Sequence, residues 1–122
     1  SARYFLYRQP CDMRKSFDGL CGLITNELGQ NPMSGDLFIF LNKPRNRIKM
    51  LRWEPGGFVL FYKRLEQGTF LPPVRKENSV GEPLVNHSMD YTELVMMING
   101  FSMEKSRKRT RFYPQSMLVK SL

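Results

Sequence analysis

Cysteine is scarce in this chain: Cys11 and Cys21 are the only two in 122 residues. A disulfide framework needs more, and a thiolate metal site needs several ligands at short spacing. Free thiols in a reducing cytoplasm are the expected state. Histidine is scarcer still. His87 stands alone, with no cysteine or acid pattern around it, and reads as a plain loop residue. No apolar run approaches the roughly 18 residues that a membrane span requires, and no secretory leader pattern opens the chain. The start, "SARYFLY", has no Met, so native residues ahead of it are expected. A Gly-rich phosphate loop, a nucleophile elbow and a metalloprotease helix are all missing. The eleven carboxylates are scattered, and none group into a trio suited to two-metal phosphoryl transfer. These gaps point away from an enzyme, a metal site and a bound cofactor.

Positive charge is what the chain has in excess. Nineteen cations against eleven anions give a net charge of +8, and they are unevenly placed. Residues 36–66 hold seven cations and three anions, and residues 105–122 hold six cations and no anion. Between them, residues 67–104 carry two cations and five anions. Two basic blocks thus flank an acidic stretch, and polyanions are the implied partner class.

The length suggests one domain, able to bury roughly two-thirds of its unfolded surface. "RYFLY" reads as a strand, broken by Pro10. Met13, Phe17, Leu20, Ile24 and Leu28 recur at helical spacing, which predicts an amphipathic helix over 13–28 with Asp12 as its N-cap. Arg14 and Lys15 would then lie in its first turn, either serving an anion or screened by Asp12. "DLFIFL", "RIKMLRW" and "FVLFYKRL" read as three strands joined by the turns "NKPRN" and "EPGG", with "TFL" as a short fourth. After the polar connection "PPVRKENSVGEP", "LVNHS" is a candidate last strand. A second helix follows through "YTELVMMIN", capped by Ser88 or by Asp90 with Glu93, with Tyr91, Leu94, Ile98 and Phe101 as its inner stripe.

The expected architecture is therefore α+β. An antiparallel meander sheet of about four or five strands carries an N-terminal amphipathic helix and a second, C-terminal helix. Residues 1–104 form that domain and residues 105–122 a basic C-terminal arm. Strands apolar on both faces require cover on both sides. The two helices take opposite faces, or one face is closed by curling of the sheet or by a second copy of the chain.

The basic stretches interleave cations with aromatics, a pattern suited to phosphate contact and base stacking. Arg45, Arg47, Lys49, Arg52, Lys63 and Arg64 are the sheet candidates for nucleic-acid contact. Arg107, Lys108, Arg109 and Arg111 are those of the arm. Trp53 and Phe61 are expected to be core residues rather than stacking platforms.

"DMRKSFDGL", "NPMSGDLFIFLN" and "RIKMLRWEPGGFVLFYKRLEQGTF" resemble, in order and spacing, the small TnpB accessory proteins of the IS-sixty-six group of bacterial insertion sequences. The likeness is close over residues 10–72 and looser at "YTELVMMINGF" and "SRKRTR". It implies a product of a mobile element, encoded beside a larger transposase that carries the strand-transfer chemistry. It supplies no catalytic residues. The leading expectation is a non-catalytic accessory protein of transposition that contacts DNA through phosphates. The alternative is an interaction module that docks on the transposase through its Met-rich helix, and a third reading is a nuclease with an unrecognised site.

Overall fold

The computed structural model describes residues 2–74, 88–102, 107–108, 110–112 and 114. The polar connection beyond Val74, His87 and all of "LVNHS" except Ser88 lie outside the described residues, as do Arg109 and the proposed 104/105 boundary.

One sheet organises the chain. Its strands are β1 (Tyr4–Leu6), β2 (Leu37–Leu41), β3 (Arg47–Glu54), β4 (Gly57–Arg64) and β5 (Ser88–Met89), in the order β4-β3-β2-β1-β5. The expected meander is present: β2, β3 and β4 pair antiparallel. The β3–β4 hairpin closes at Pro55–Gly56, where Gly56 takes φ +92, the positive value a side chain would resist. The sheet is nonetheless mixed. β1 pairs parallel with β2, Tyr4 opposite Leu37, because α1 (Phe17–Asn26) carries the chain back between them. β5 adds antiparallel to the outer edge of β1.

The helices cover opposite faces, as the doubly apolar strands require. Phe38 and Phe40 of β2 join Phe5 and Leu51 against Leu20 and Ile24 of α1. Leu37, Ile39 and Leu41 join Ile48 and Met89 against Leu94 and Met97 of α2 (Tyr91–Asn99). The second helix has its expected capping box: Glu93 N–H donates to Asp90 at 2.7 Å, and Asp90 N–H to the Glu93 carboxylate at 3.0 Å. It stops at Gly100, in the left-handed region at φ +81.

Four expectations are corrected. The first helix begins at Phe17, four residues late, with Ser16 and not Asp12 at its N-cap. Phe17 is 43% exposed, so the inner stripe starts at Leu20. "TFL" forms no strand, although Phe70 is fully buried and its N–H donates to Arg45 O at 2.7 Å. In α2 the buried face shifts to Leu94 and Met97, leaving Tyr91 64% exposed. Neither Trp53 nor Phe61 is core. Trp53 is half-buried, edge-on to Phe58 at 5.0 Å beside the hairpin turn, and Phe61 is 46% exposed on β4, which flanks the sheet.

Past α2 the chain forms a two-stranded ribbon of β6 (Phe101–Ser102) and β7 (Arg107–Lys108).

Candidate nucleic-acid interface

The register brings part of the first basic block to one end of the sheet. Parallel β1 and β2 finish there, β3 starts there and β4 finishes there. Arg47 and Arg64 lie directly opposite each other across the β3–β4 ladder, with Lys63 beside Arg64. Like charges facing across an antiparallel pair cost stability, so each needs a partner. Arg47 Nη1 donates to the Tyr62 hydroxyl at 3.1 Å, and Arg64 forms bonds of 2.9 and 2.7 Å to Glu66. Both pairs are exposed, and an exposed ion pair such as Arg64–Glu66 contributes about 0–1 kcal/mol.

Arg45 belongs to the same end, on the turn from Asn42 to Asn46. Asn42 organises that turn: its carboxamide oxygen accepts from the N–H groups of Asn46 and Arg47, both at 3.0 Å. Arg45 itself has φ +60, and Leu65 N–H donates to Asn46 O at 2.7 Å, tying the turn to the end of β4.

The other candidates are placed differently. Lys49 is 6% exposed, and its ammonium donates to the carbonyls of Met13 and Lys15, both at 2.7 Å, beneath the Tyr62 ring at 4.6 Å. Strand alternation put it on the face of Arg47, as expected, but the chain ahead of α1 crosses that face and covers it. Arg52 sits at the far end of the hairpin, bonded to Glu54 at 3.2 Å. Arg107 and Lys108 are placed by their backbone alone, in β7. Arg111 is docked. It donates to Thr69 O at 3.1 Å and to Ile98 O at 3.3 Å, with its guanidinium 5.4 Å from the Phe70 ring centre.

The Asp12–Arg14 pair belongs to a separate turn ahead of α1, where the Lys15 N–H donates to Asp12 O at 3.0 Å. Asp12 accepts from the Arg14 N–H at 2.9 Å and from its guanidinium at 2.7 Å. Those bonds hold the Asp12 carboxyl down to about 2. Burial raises the thiol pKa of both Cys11 and Cys21, so neither thiol is activated. Among the described residues no group of His, Cys, Asp or Glu is placed to hold a metal ion, and no helix is long and apolar enough to cross a membrane.

Sequence reasoning passed over Arg8 and Lys43. Each lies two residues beyond a strand end, Leu6 and Leu41, and both line a cleft of about 540 Å³ together with Arg45. The signal was in the sequence, but it requires knowing that the two strands run side by side and parallel.

The family described as IS66 Orf2 like protein matches residues 2–108 of the chain. Two proteins of Sinorhizobium fredii (strain NBRC 101917 / NGR234) are similar to it. Uncharacterized protein y4jC is 36% identical over 74 residues, 60% of this chain and 63% of that protein. Uncharacterized protein y4hO is 38% identical over 63 residues, 51% of this chain and 54% of that protein. The matched region spans less than two thirds of either relative. No solved structure gives a significant match.

Proposed function

This chain belongs to the IS66 Orf2-like family, a family of insertion-sequence accessory proteins, and on that premise we propose that it holds DNA through the basic end of its sheet. The observation that carries the reading is the pair Arg47 and Arg64, set face to face on β3 and β4, with Lys63 at the same strand end on the opposite face and Arg45 on the adjoining turn. A fold that places like charges opposite one another gives up stability for something. A phosphate backbone lying across that end would neutralise the cluster and release counterions. The contacts would be to phosphate, without base readout, since neither helix has a groove-entering basic face. Tyr62, half-exposed between Arg47 and the buried Lys49, offers a ring on which an unpaired base could stack.

The double variant Arg47→Ala, Arg64→Ala tests this. Removing two exposed cations with partial partners should leave the unfolding midpoint nearly unchanged while affinity for duplex DNA falls at least about tenfold at low salt. Unchanged affinity in a folded variant would refute it.

A second reading, docking on the element's transposase, draws on β4. Among the described residues its eight-residue length pairs only with β3, and Phe61 is exposed on it. Open strand edges accept partner strands. Co-purification with the transposase that survives Arg47→Ala, Arg64→Ala but fails with Phe61→Lys would favour this surface.

A further inference from the structure

The cleft of about 540 Å³ opens outside the carboxyl ends of β1 and β2. In sheets with parallel strands this is where ligand crevices form. Arg8, Lys43 and Arg45 line it, and among the described residues no carboxylate does. Tyr7, Pro10 and Pro44 add flat apolar walls. Arg8 Nη1 donates to Pro73 O at 2.7 Å, which fixes its guanidinium at the wall.

Arg45 supplies an independent observation. Its φ of +60 is left-handed, a conformation that strains an L side chain. It is held there from both sides: its N–H donates to Asn42 O at 3.0 Å and its carbonyl accepts from Phe70 at 2.7 Å. Glycine would sit at this position without strain, yet the chain carries an arginine at the cleft's rim. Strain kept in place by surrounding bonds is characteristic of binding sites.

Shape decides what kind of ligand suits the cleft. A continuous duplex contacts a surface along its backbone, whereas a cavity of this size encloses a single small unit. A terminal phosphate monoester brings a charge of about −2, more than a bridging diester, and suits a cluster of three cations. We infer that the cleft binds one nucleotide by its terminal phosphate, with sugar or base against the tyrosine and proline walls. The source, a DNA strand end, rests on the DNA reading above; a free nucleotide presents the same chemistry.

The test titrates the full chain with a short single-stranded oligonucleotide phosphorylated at its ends, the same oligonucleotide unphosphorylated, a nucleoside monophosphate, and closed circular duplex DNA, which has no ends. End phosphorylation should tighten binding about tenfold. Lys43→Ala and Arg45→Gly should remove that preference, while Arg47→Ala weakens both oligonucleotides and keeps their ratio. Arg45→Gly relieves the backbone, so its unfolding midpoint should not fall, and a binding loss cannot be ascribed to misfolding. Binding of the monophosphate that Lys43→Ala abolishes would support the site with a free nucleotide as its source. Equal binding of the two oligonucleotides with no monophosphate binding overturns the inference, and circular DNA binding in that case leaves the DNA reading intact. Retained nucleotide binding without circular DNA binding does the reverse.

Discussion

The ammonium of Lys49 donates to two carbonyls at 2.7 Å and lies under an aromatic ring, whereas Arg52 and Arg64 of the same basic block pair with acids. Its role is to satisfy the carbonyls of Met13 and Lys15, which have no helical partners because α1 begins only at Phe17. Lys49→Met keeps the stem and leaves those carbonyls unpaired. It should cost about 1–3 kcal/mol in urea unfolding, with DNA affinity changed by less than about twofold. A stable variant that lost DNA binding would return Lys49 to the interface. Asp36 is the acidic counterpart, 5% exposed at the other end of the sheet. Burial works to raise its pKa, but the Arg3 N–H at 2.8 Å, the Ser34 hydroxyl and the Arg3 guanidinium outweigh it and hold the carboxyl below its usual range. A depressed folded pKa means the stabilisation is complete above the ordinary carboxylate value and is lost as pH falls through the lower folded one. Asp36→Asn should therefore be less stable than the parent by about 1–2 kcal/mol at neutral pH, since Arg3 is largely exposed and its share is screened. The gap should close in acid, below about pH 4. A gap that persisted there would show the loss is steric.

At the level of elements, the hairpins and the second helix were legible because their signals are local. Pro55–Gly56 demands a turn and Asp90 with Glu93 demands a cap, and neither depends on distant contacts. The start of α1 was misread because its periodic stripe continues through Met13, which packs against the same cluster without being helical. Hydrophobic spacing reports which side is covered, not where the hydrogen bonds begin. The parallel pairing of β1 with β2 had only a coarse signal, the strand–helix–strand order that returns the chain in the same direction, and the cleft with Arg8 and Lys43 depends on it. The docking of Arg111 depends likewise on glycines far away in sequence. A Cβ at Gly68, φ +83, would collide with the Thr110 carbonyl, and one at Gly100 would meet the Arg111 guanidinium at 2.8 Å. Arg111 bonds Ile98 O and approaches Met97 O at 3.5 Å, placing a cation at the carboxyl end of α2, where the helix dipole favours it. Arg111→Ala should cost about 1–2 kcal/mol, read as a lower melting point. Unchanged stability would mean that this stretch contributes nothing to the fold and is available as an arm.

The two helices occupy opposite faces of the sheet, and among the described residues its ends and its outer edges, on β4 and the short β5, are left without a helix over them. Cations concentrate at one end: Arg45, Arg47, Lys63 and Arg64 on the hairpin side, Arg8 and Lys43 at the cleft. Glu66 works against them there by pairing with Arg64. Lys49, Arg52 and Arg111 are committed to internal or local partners, so fewer sites remain than the net charge of +8 suggests. If the four cations on the hairpin side and up to two at the cleft each neutralise a phosphate, four to six counterions leave on binding. Log K against log[salt] should then fall with a slope of about −4 to −5. Arg47→Ala, Arg64→Ala should flatten that slope by about two, one for each lost contact, and weaken binding to unrelated duplexes alike. Lys49→Met should leave the slope unchanged, because its ammonium never reaches the phosphates. A slope near zero, or one that Lys49→Met flattens as much as the arginine pair does, would show that the charge at this end of the sheet serves something other than the DNA backbone.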